Sequence, residues 1–448
     1  MSSLQQYLDL YAAQGETLCG ASCAAMNAAR EAALAGLQQH GLPTSRNERY
    51  KYTDVEAALA PDYGLNLRRT LPTVDPYKEY RCAVPHLSTS LYFVVNDVPY
   101  TVQTPTAPLP EGVLVQPLSQ ADPALVAAYY NREAGRKYDG VTALNTLLAQ
   151  DGLLVYLPAG TILSNPIQIV NVAAARADLM VNRRLLIVAE KGAQGVILLC
   201  EHTDGQCRTL STQVTEIFVG EGANIQVNAV EETTEQHTAL DNVYVHQAAA
   251  SHVSYNGVTL TCGQTRHRLD FRLDGKGADM VARGVVVADG QQRVDNSLVV
   301  DHVAPSCTSD MLYKYVLDGH SVGAFAGLVL VEKGAQKSLS QQTNANICAA
   351  PTARAFSQPM LEIYADDVKC NHGSTIGKLD ESALFYMRQR GIPEAEARLL
   401  LQHAFVNEVL ARIEPEPLRE RLSYLVEMRF RRRLKQCGSC TLCKPNKQ

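Results

Sequence analysis

Residues 366–381 read DDVKCNHGSTIGKLDE, and they set a thiol, an amide and an imidazole side by side at Cys370, Asn371 and His372. Thiolate and imidazole are both competent iron ligands, one soft and one borderline. A spacing of two puts Cys370 and His372 on one face of a β-strand. Two ligands are fewer than the four cysteines of a stable iron–sulfur site. Any metal held here would need further ligands from elsewhere. The plainer reading is a surface turn with one buried cysteine and one solvated histidine, and for a lone Cys-x-His the spacing alone favours it.

A second group, CGSCTLC, places Cys437, Cys440 and Cys443 near the C-terminus. Three thiolates at this spacing converge from one tight loop, as in zinc and cluster sites. The run offers three ligands and then continues as polar KPNKQ. It reads either as a metal or thiol-relay site or as a tail without a dedicated role. Cys19 and Cys23 are four apart in helix-friendly sequence and could chelate. No histidine or acid stands near them at ligand spacing, so helix-face packing is the expectation. Cys200 and Cys348 lie in apolar runs and are expected to pack as small hydrophobes.

RFRRRLK, with Arg429, Arg431, Arg432, Arg433 and Lys435, would suit nucleic acid or an acidic partner. Cations also suit the C-terminal end of a helix dipole, and that reading is preferred. GEGAN and DGKGAD are not followed by Lys-Ser/Thr and a helix, so neither is a phosphate-binding loop. Nucleotide chemistry would have to come from another chain.

Three zones must position these side chains. Residues 1–131 open with the Ala-rich CAAMNAAREAALAGLQQHG, a helix stopped by Gly41. Pro43 and Thr44 break it, and Asp54 starts a short second helix. A proline-punctuated, strand-like run follows, then TPTAPLPEGVLVQPL as a linker and ADPALVAAYYNREAG as a short helix. Residues 139–377 are different. Short runs of Val, Ile, Leu and Thr recur between Gly, Asn and Asp. Gly192, Gly222, Gly277 and Gly334 sit in similar Gly-Ala turns 30, 55 and 57 residues apart. The missing half-steps fall near Ala249 and Ser306, so the period is near 28 residues. A repeating strand unit with this period is the mark of a β-helix, in which each coil stacks on the last. A β-sandwich is the alternative, but it has no reason to repeat one turn at even steps. Residues 379–435 are helical, with Asp380 as an N-cap, Gly391 as a stop and Pro393 at the next helix start. Residues 436–448 form the cysteine-containing tail.

The chain has 448 residues, 12 cysteines and a formal charge of −5. That balance argues weakly against nucleic-acid binding as the main activity. No run approaches the roughly 18 apolar residues needed to span a bilayer. The polar N-terminus lacks a charged segment followed by an apolar one. A cytoplasmic protein with reduced thiols is expected.

One long run, SQQTNANICAAPTARAFSQPMLEIYADDVKCNHGSTIGKLDESALFYMRQRGIPEAEARLLL, resembles the end of the core domain of the SufB/SufD family, scaffold subunits of the Suf iron–sulfur cluster assembly machinery. ALNTLLAQDGLLVYLPAGTILSNPIQIVN resembles the family's approach to its β-helix, and NERYKYTDV resembles an N-terminal motif of the SufD branch. Asn371 stands where a serine would be expected. The resemblance implies a mainly β fold: a right-handed parallel β-helix flanked by an N-terminal helical and mixed domain and a C-terminal helical domain. It implies a non-enzymatic SufD-like subunit that pairs with a SufB-like subunit through the β-helix end. A SufC-like ABC ATPase would sit on the C-terminal helical region, and sulfur would reach the SufB side from a cysteine desulfurase system. A transient iron–sulfur cluster would form near the shared interface, where Cys370 and His372 match the implicated positions, and the isolated chain would hold none stably. Solenoid ends expose strand edges that must be capped or paired, so a homodimer is one way for the isolated chain to cover them, with the heterodimer as the working form.

Two other functions compete. A polysaccharide lyase or esterase on a β-helix would line a groove with clustered Asp, Arg or Lys, whereas the acids here are spread through turns. A stand-alone iron–sulfur or zinc protein would use Cys437, Cys440 and Cys443.

Overall fold

The structure, a computed structural model, describes residues 3–70, 75–80, 84–100 and 107–432. From Leu153 to Gly377 the chain winds as a parallel β-solenoid. Successive strands alternate between two sheets of ten strands each. Leu179–Ala189, Thr209–Val219 and His237–Gln247 stack in one sheet, and Gln194–Asp204, Asn224–Glu232 and His252–Thr261 in the other. Every coil therefore contributes one strand to each face. Asn224 aligns with Gln194 and His252, and Asp279 with His252 and Thr308, in agreement with the period near 28 residues.

The corners explain the repeat. Gly192, Gly222, Ala250, Gly277, Ser306 and Lys337 all take positive φ at the same place in successive coils. Each turns its N–H onto a carbonyl of the following coil: Gly192 to Glu221, Gly222 to Ala249, Ala250 to Lys276, Gly277 to Pro305, Ser306 to Gln336 and Lys337 to Asp367. GEGAN and DGKGAD are thus corners. One detail differs from the expectation, because the last turn places Lys337 and not Gly334 in the left-handed conformation.

Inside the coils, alternate residues such as Ile197, Ile217, Val227, Val245, Phe271, Val300 and Phe325 build one continuous core. Outside, the two faces carry different covers. Val170, Val258, Val285 and Leu312 pack beneath Val406, Val409, Leu410, Leu418 and Leu422 of the C-terminal helices Glu394–Leu410 and Glu416–Phe430. Met180, Leu210 and Leu240 pack beneath Tyr7, Leu37, Tyr50, Val55 and Leu144.

The N-terminal cover differs in places from its sequence reading. Ser3–Gly20 is a helix of its own. It ends between Cys19 and Cys23, and Cys23 caps the next helix, Ala24–His40. The two cysteines do not share a helix face, because Ser22 and Cys23 leave the helical path. Part of TPTAPLPEGVLVQPL, expected as linker, is the strand Leu114–Pro117, antiparallel to Leu153–Leu157. Ser90–Val95 pairs with Ile167–Ala174 and is followed by the antiparallel Val98–Tyr100. These added strands finish the N-terminal end of both sheets. Among the described residues no helix is long and apolar enough to cross a membrane.

Candidate functional site

The last coil consists of Arg354–Ile363 in one sheet and Lys369–Gly377 in the other. Each pairs on one side only, with Val322–Val331 and Leu339–Cys348, so each sheet ends on an open edge. Cys370 and His372 belong to the second of these edge strands. Their Cα partners one coil back are Ser340 and Gln342, both buried on the inner face. Strand alternation therefore turns Cys370, His372, Ser374 and Ile376 toward the solenoid axis, where no further coil among the described residues covers them.

Cys370 is half-buried against the interior core. Burial pushes its thiol above the usual value, partly offset by a hydrogen bond with the Ser340 backbone. His372 is exposed. One ligand-type side chain is thus held by the scaffold, and the other, on the same face, is open to solvent. Beneath Cys370, Ser340 Oγ lies 2.8 Å from Ser309 Oγ, which lies 2.9 Å from Nε2 of the buried His302. Burial holds His302 neutral, at about 4.

Among the described residues, no three His, Cys, Asp or Glu side chains are arranged to hold a metal. Cys437, Cys440 and Cys443 lie outside the described residues, as do Arg433 and Lys435. The described arginines of the basic run are engaged within the fold. Arg429 grips Asp289 with two hydrogen bonds, Arg431 does the same with Glu396 and also meets Glu427, and Arg432 reaches Asp318. Cys200 is buried, and Cys348 packs against the interior core.

Two arrangements were not readable from local sequence. Within NERYKYTDV, Arg49 forms a forked pair with Asp270, at 3.0 and 2.7 Å. Tyr50 donates to Asp139 (2.6 Å), Thr53 donates to Asp295 (2.6 Å), and the Arg266 guanidinium lies 4.0 Å from the Tyr50 ring centroid. The motif therefore clamps the N-terminal cover to the solenoid. It reaches the last coil, where Tyr52 stacks on Phe356 with centroids 4.8 Å apart. The second arrangement lies inside the coils. His267 stands between Glu231 (3.4 Å) and Asp241 (3.5 Å) and lines a cavity of about 50 Å³ together with Glu201. The two carboxylates raise His267 to about 10 against the opposing effect of burial. Burial raises Glu201 to about 7, although Arg183 pairs with it. The only local trace of this cluster was a set of polar residues at core-facing strand positions.

A parallel β-solenoid with open strand edges at one end, a thiol–imidazole pair on that edge and helical covers on both faces is the class of protein defined so far. Residues 171–405 match the family described as "SUF system FeS cluster assembly, SufBD core domain". Residues 1–169 match the "SufBD protein N-terminal region". The chain belongs to the SufBD family of iron–sulfur cluster assembly proteins. It is 28% identical over 404 residues to an iron–sulfur cluster assembly SufBD family protein of Synechocystis, covering 87% of both chains. It is 25% identical over 444 residues to the iron–sulfur cluster assembly protein SufD of Escherichia coli, covering 94% of this chain and 95% of the relative. The SufD protein of Bacillus subtilis is 24% identical over 314 residues, 68% of this chain and 71% of its own length.

Proposed function

We propose that this chain is the SufD-like, non-enzymatic subunit of a cytoplasmic iron–sulfur cluster assembly complex. It pairs with a SufB-like subunit through its last coil, and a SufC-like ATPase docks on its C-terminal helices. The observation that carries this reading is the coincidence of the Cys370–His372 pair with the open edge of both sheets. A partner that covers those edges also supplies the ligands this chain lacks. Leu339, Ile363 and Ile376 stand exposed around the same end, which suits burial by a partner. Phe385, Tyr386 and Leu400 stand exposed on the C-terminal helices and suit a second one. The described cysteines are free thiols, consistent with a reducing compartment. The cluster is cargo: it forms at the shared interface and leaves.

The test is co-expression with the host's SufB-like and SufC-like proteins. All three should co-purify. His372→Ala should leave the complex assembled and lower the iron and sulfide reconstituted on it by roughly tenfold or more, the usual scale for a lost metal contact. Normal cluster formation on the mutant complex would remove His372 from the site.

A further inference from the structure

The two edge strands of the last coil are held unequally. Lys369–Gly377 is exposed along its length, with only Cys370 and Gly373 half-buried. Arg354–Ile363 is half-buried from Ser357 to Leu361, and the N-terminal segment crosses its outer face. Glu48 Oε1 accepts from Gln358 Nε2 (2.9 Å), and the Tyr52 ring stacks on Phe356 with planes 23° from parallel. These contacts fall on rows of the sheet that the same segment grips two coils back. Gln358 aligns with Ala326 and Ser297, and Phe356 with Ala324 and Asp295. Arg49, next to Glu48 in sequence, donates to the Ser297 hydroxyl (3.2 Å), and Thr53, next to Tyr52, donates to Asp295. The intervening Ala324 and Ala326 are small and buried, which lets the segment lie close to the sheet. The result is a frame with two anchors on Arg293–His302 and two on the edge strand.

An edge strand has one ladder in place of two, and a terminal coil touches a neighbour on one side only. Such elements open locally at little cost. A partner that adds a strand to a loose edge must first order it, and the ordering subtracts from the binding free energy. A strand already fixed loses less. The segment that fixes this one is itself immobilised farther back. Arg49 forks onto Asp270, and Arg266 donates to the Arg49 carbonyl (2.6 Å). Its hold on the last coil is therefore a lever from rigid ground.

We propose that NERYKYTDV is a brace that presets the edge strand Arg354–Ile363 for the partner, with Tyr52 and Glu48 as the positioning residues. The inference rests on the reading of the last coil as the pairing surface. It gives the N-terminal cover a part in assembly. One edge is held in strand geometry from two coils back, while the edge that carries Cys370 and His372 has no such hold among the described residues. The partner thus meets one formed strand and one that orders on contact.

The test is amide hydrogen exchange on the full-length chain, at a dilution where it sediments as a monomer, together with its affinity for the SufB-like partner. In the wild type, residues 354–363 should exchange more slowly than residues 369–377, and the reverse order overturns the proposal. Tyr52→Ala should speed exchange across 354–363 and leave 293–302 at the wild-type rate. It should also weaken partner association about three- to tenfold, the scale of a lost aromatic pair. Tyr52→Phe, which keeps the ring, should match the wild type in both. Should Tyr52→Ala fail to fold, Glu48→Ala removes the second anchor at an exposed position and should loosen the same strand, with Glu48→Gln, which keeps an acceptor oxygen, as its rescue. Unchanged exchange at 354–363 in the Ala variant overturns the brace even where affinity falls, since the side chain would then act by touching the partner. Faster exchange with wild-type affinity overturns the positioning role. A wild-type chain that binds no SufB-like partner overturns the assembly reading instead, and the exchange rates still decide whether the brace exists.

Discussion

At the scale of single residues, the interior of the solenoid is governed by charge as much as by apolar packing. His267 is the counter-charge for two buried carboxylates, and removing one member of a buried pair costs roughly 3–5 kcal/mol. His267→Ala should therefore lower unfolding stability by about that amount in urea titrations, because Glu231 and Asp241 would be left uncompensated. The pH dependence has a definite sign. A histidine whose folded value is raised to about 10 stabilises the fold fully below its ordinary value near 6.5, and that contribution is lost as pH rises through about 10. Glu201, raised to about 7, acts in the same direction at lower pH. Wild-type stability should fall between pH 7 and pH 10 more steeply than that of His267→Gln, and a midpoint series across that range measures the difference. Such a cluster is hard to see in sequence because its members come from separate strands: Glu201, Glu231, Asp241 and His267 meet only when the coils stack. Cys370 and His372 were legible for the opposite reason, since two residues on one strand share a face without help from the rest of the fold.

At the scale of elements, the corner is the unit that repeats. The left-handed conformation costs a residue with a Cβ about 1–2 kcal/mol, part of which glycine returns through its looser unfolded chain. Gly222 and Ala250 occupy the same corner in successive coils. Gly222→Ala should destabilise by about 1 kcal/mol, and nothing lies within 4 Å of the added Cβ, so backbone strain alone acts. Ala250→Gly should stabilise by a fraction of that. Opposite shifts in melting temperature at equivalent sites would check both. The glycines made the period readable. They did not show which residue takes the strained turn in the last coil, because Lys337 holds that conformation with a hydrogen bond to Asp367 and without a glycine. The strand Leu114–Pro117 was hidden by its prolines: it is an edge strand, where proline is tolerated, so proline-rich sequence there looked like linker.

At the scale of the whole molecule, the β-solenoid with helical covers was readable because periodicity is a property of the entire chain. What covers what was not. NERYKYTDV marked a resemblance, but its work as a clamp depends on Asp139, Asp270 and Asp295, far away in sequence. The open end makes its own prediction. Ile376→Glu places a charge on an exposed edge-strand position that the described fold does not use. It should leave thermal stability of the isolated chain within about 0.5 kcal/mol. It should weaken association with a SufB-like partner by roughly tenfold or more, as charges do when buried unpaired. Sedimentation velocity on the mixed proteins reads the second effect and thermal melting the first.

The two ends of the solenoid are unlike. At the N-terminal end, antiparallel Val98–Tyr100 and Leu114–Pro117 finish the sheets, while at the C-terminal end both sheets simply stop. If the pairing proposed above runs through the last coil, this asymmetry sets a stoichiometry: the edge strands at the N-terminal end carry Pro99 and Pro117, which blunt them for further pairing, so two molecules joined by their last coils leave no equivalent end for a third.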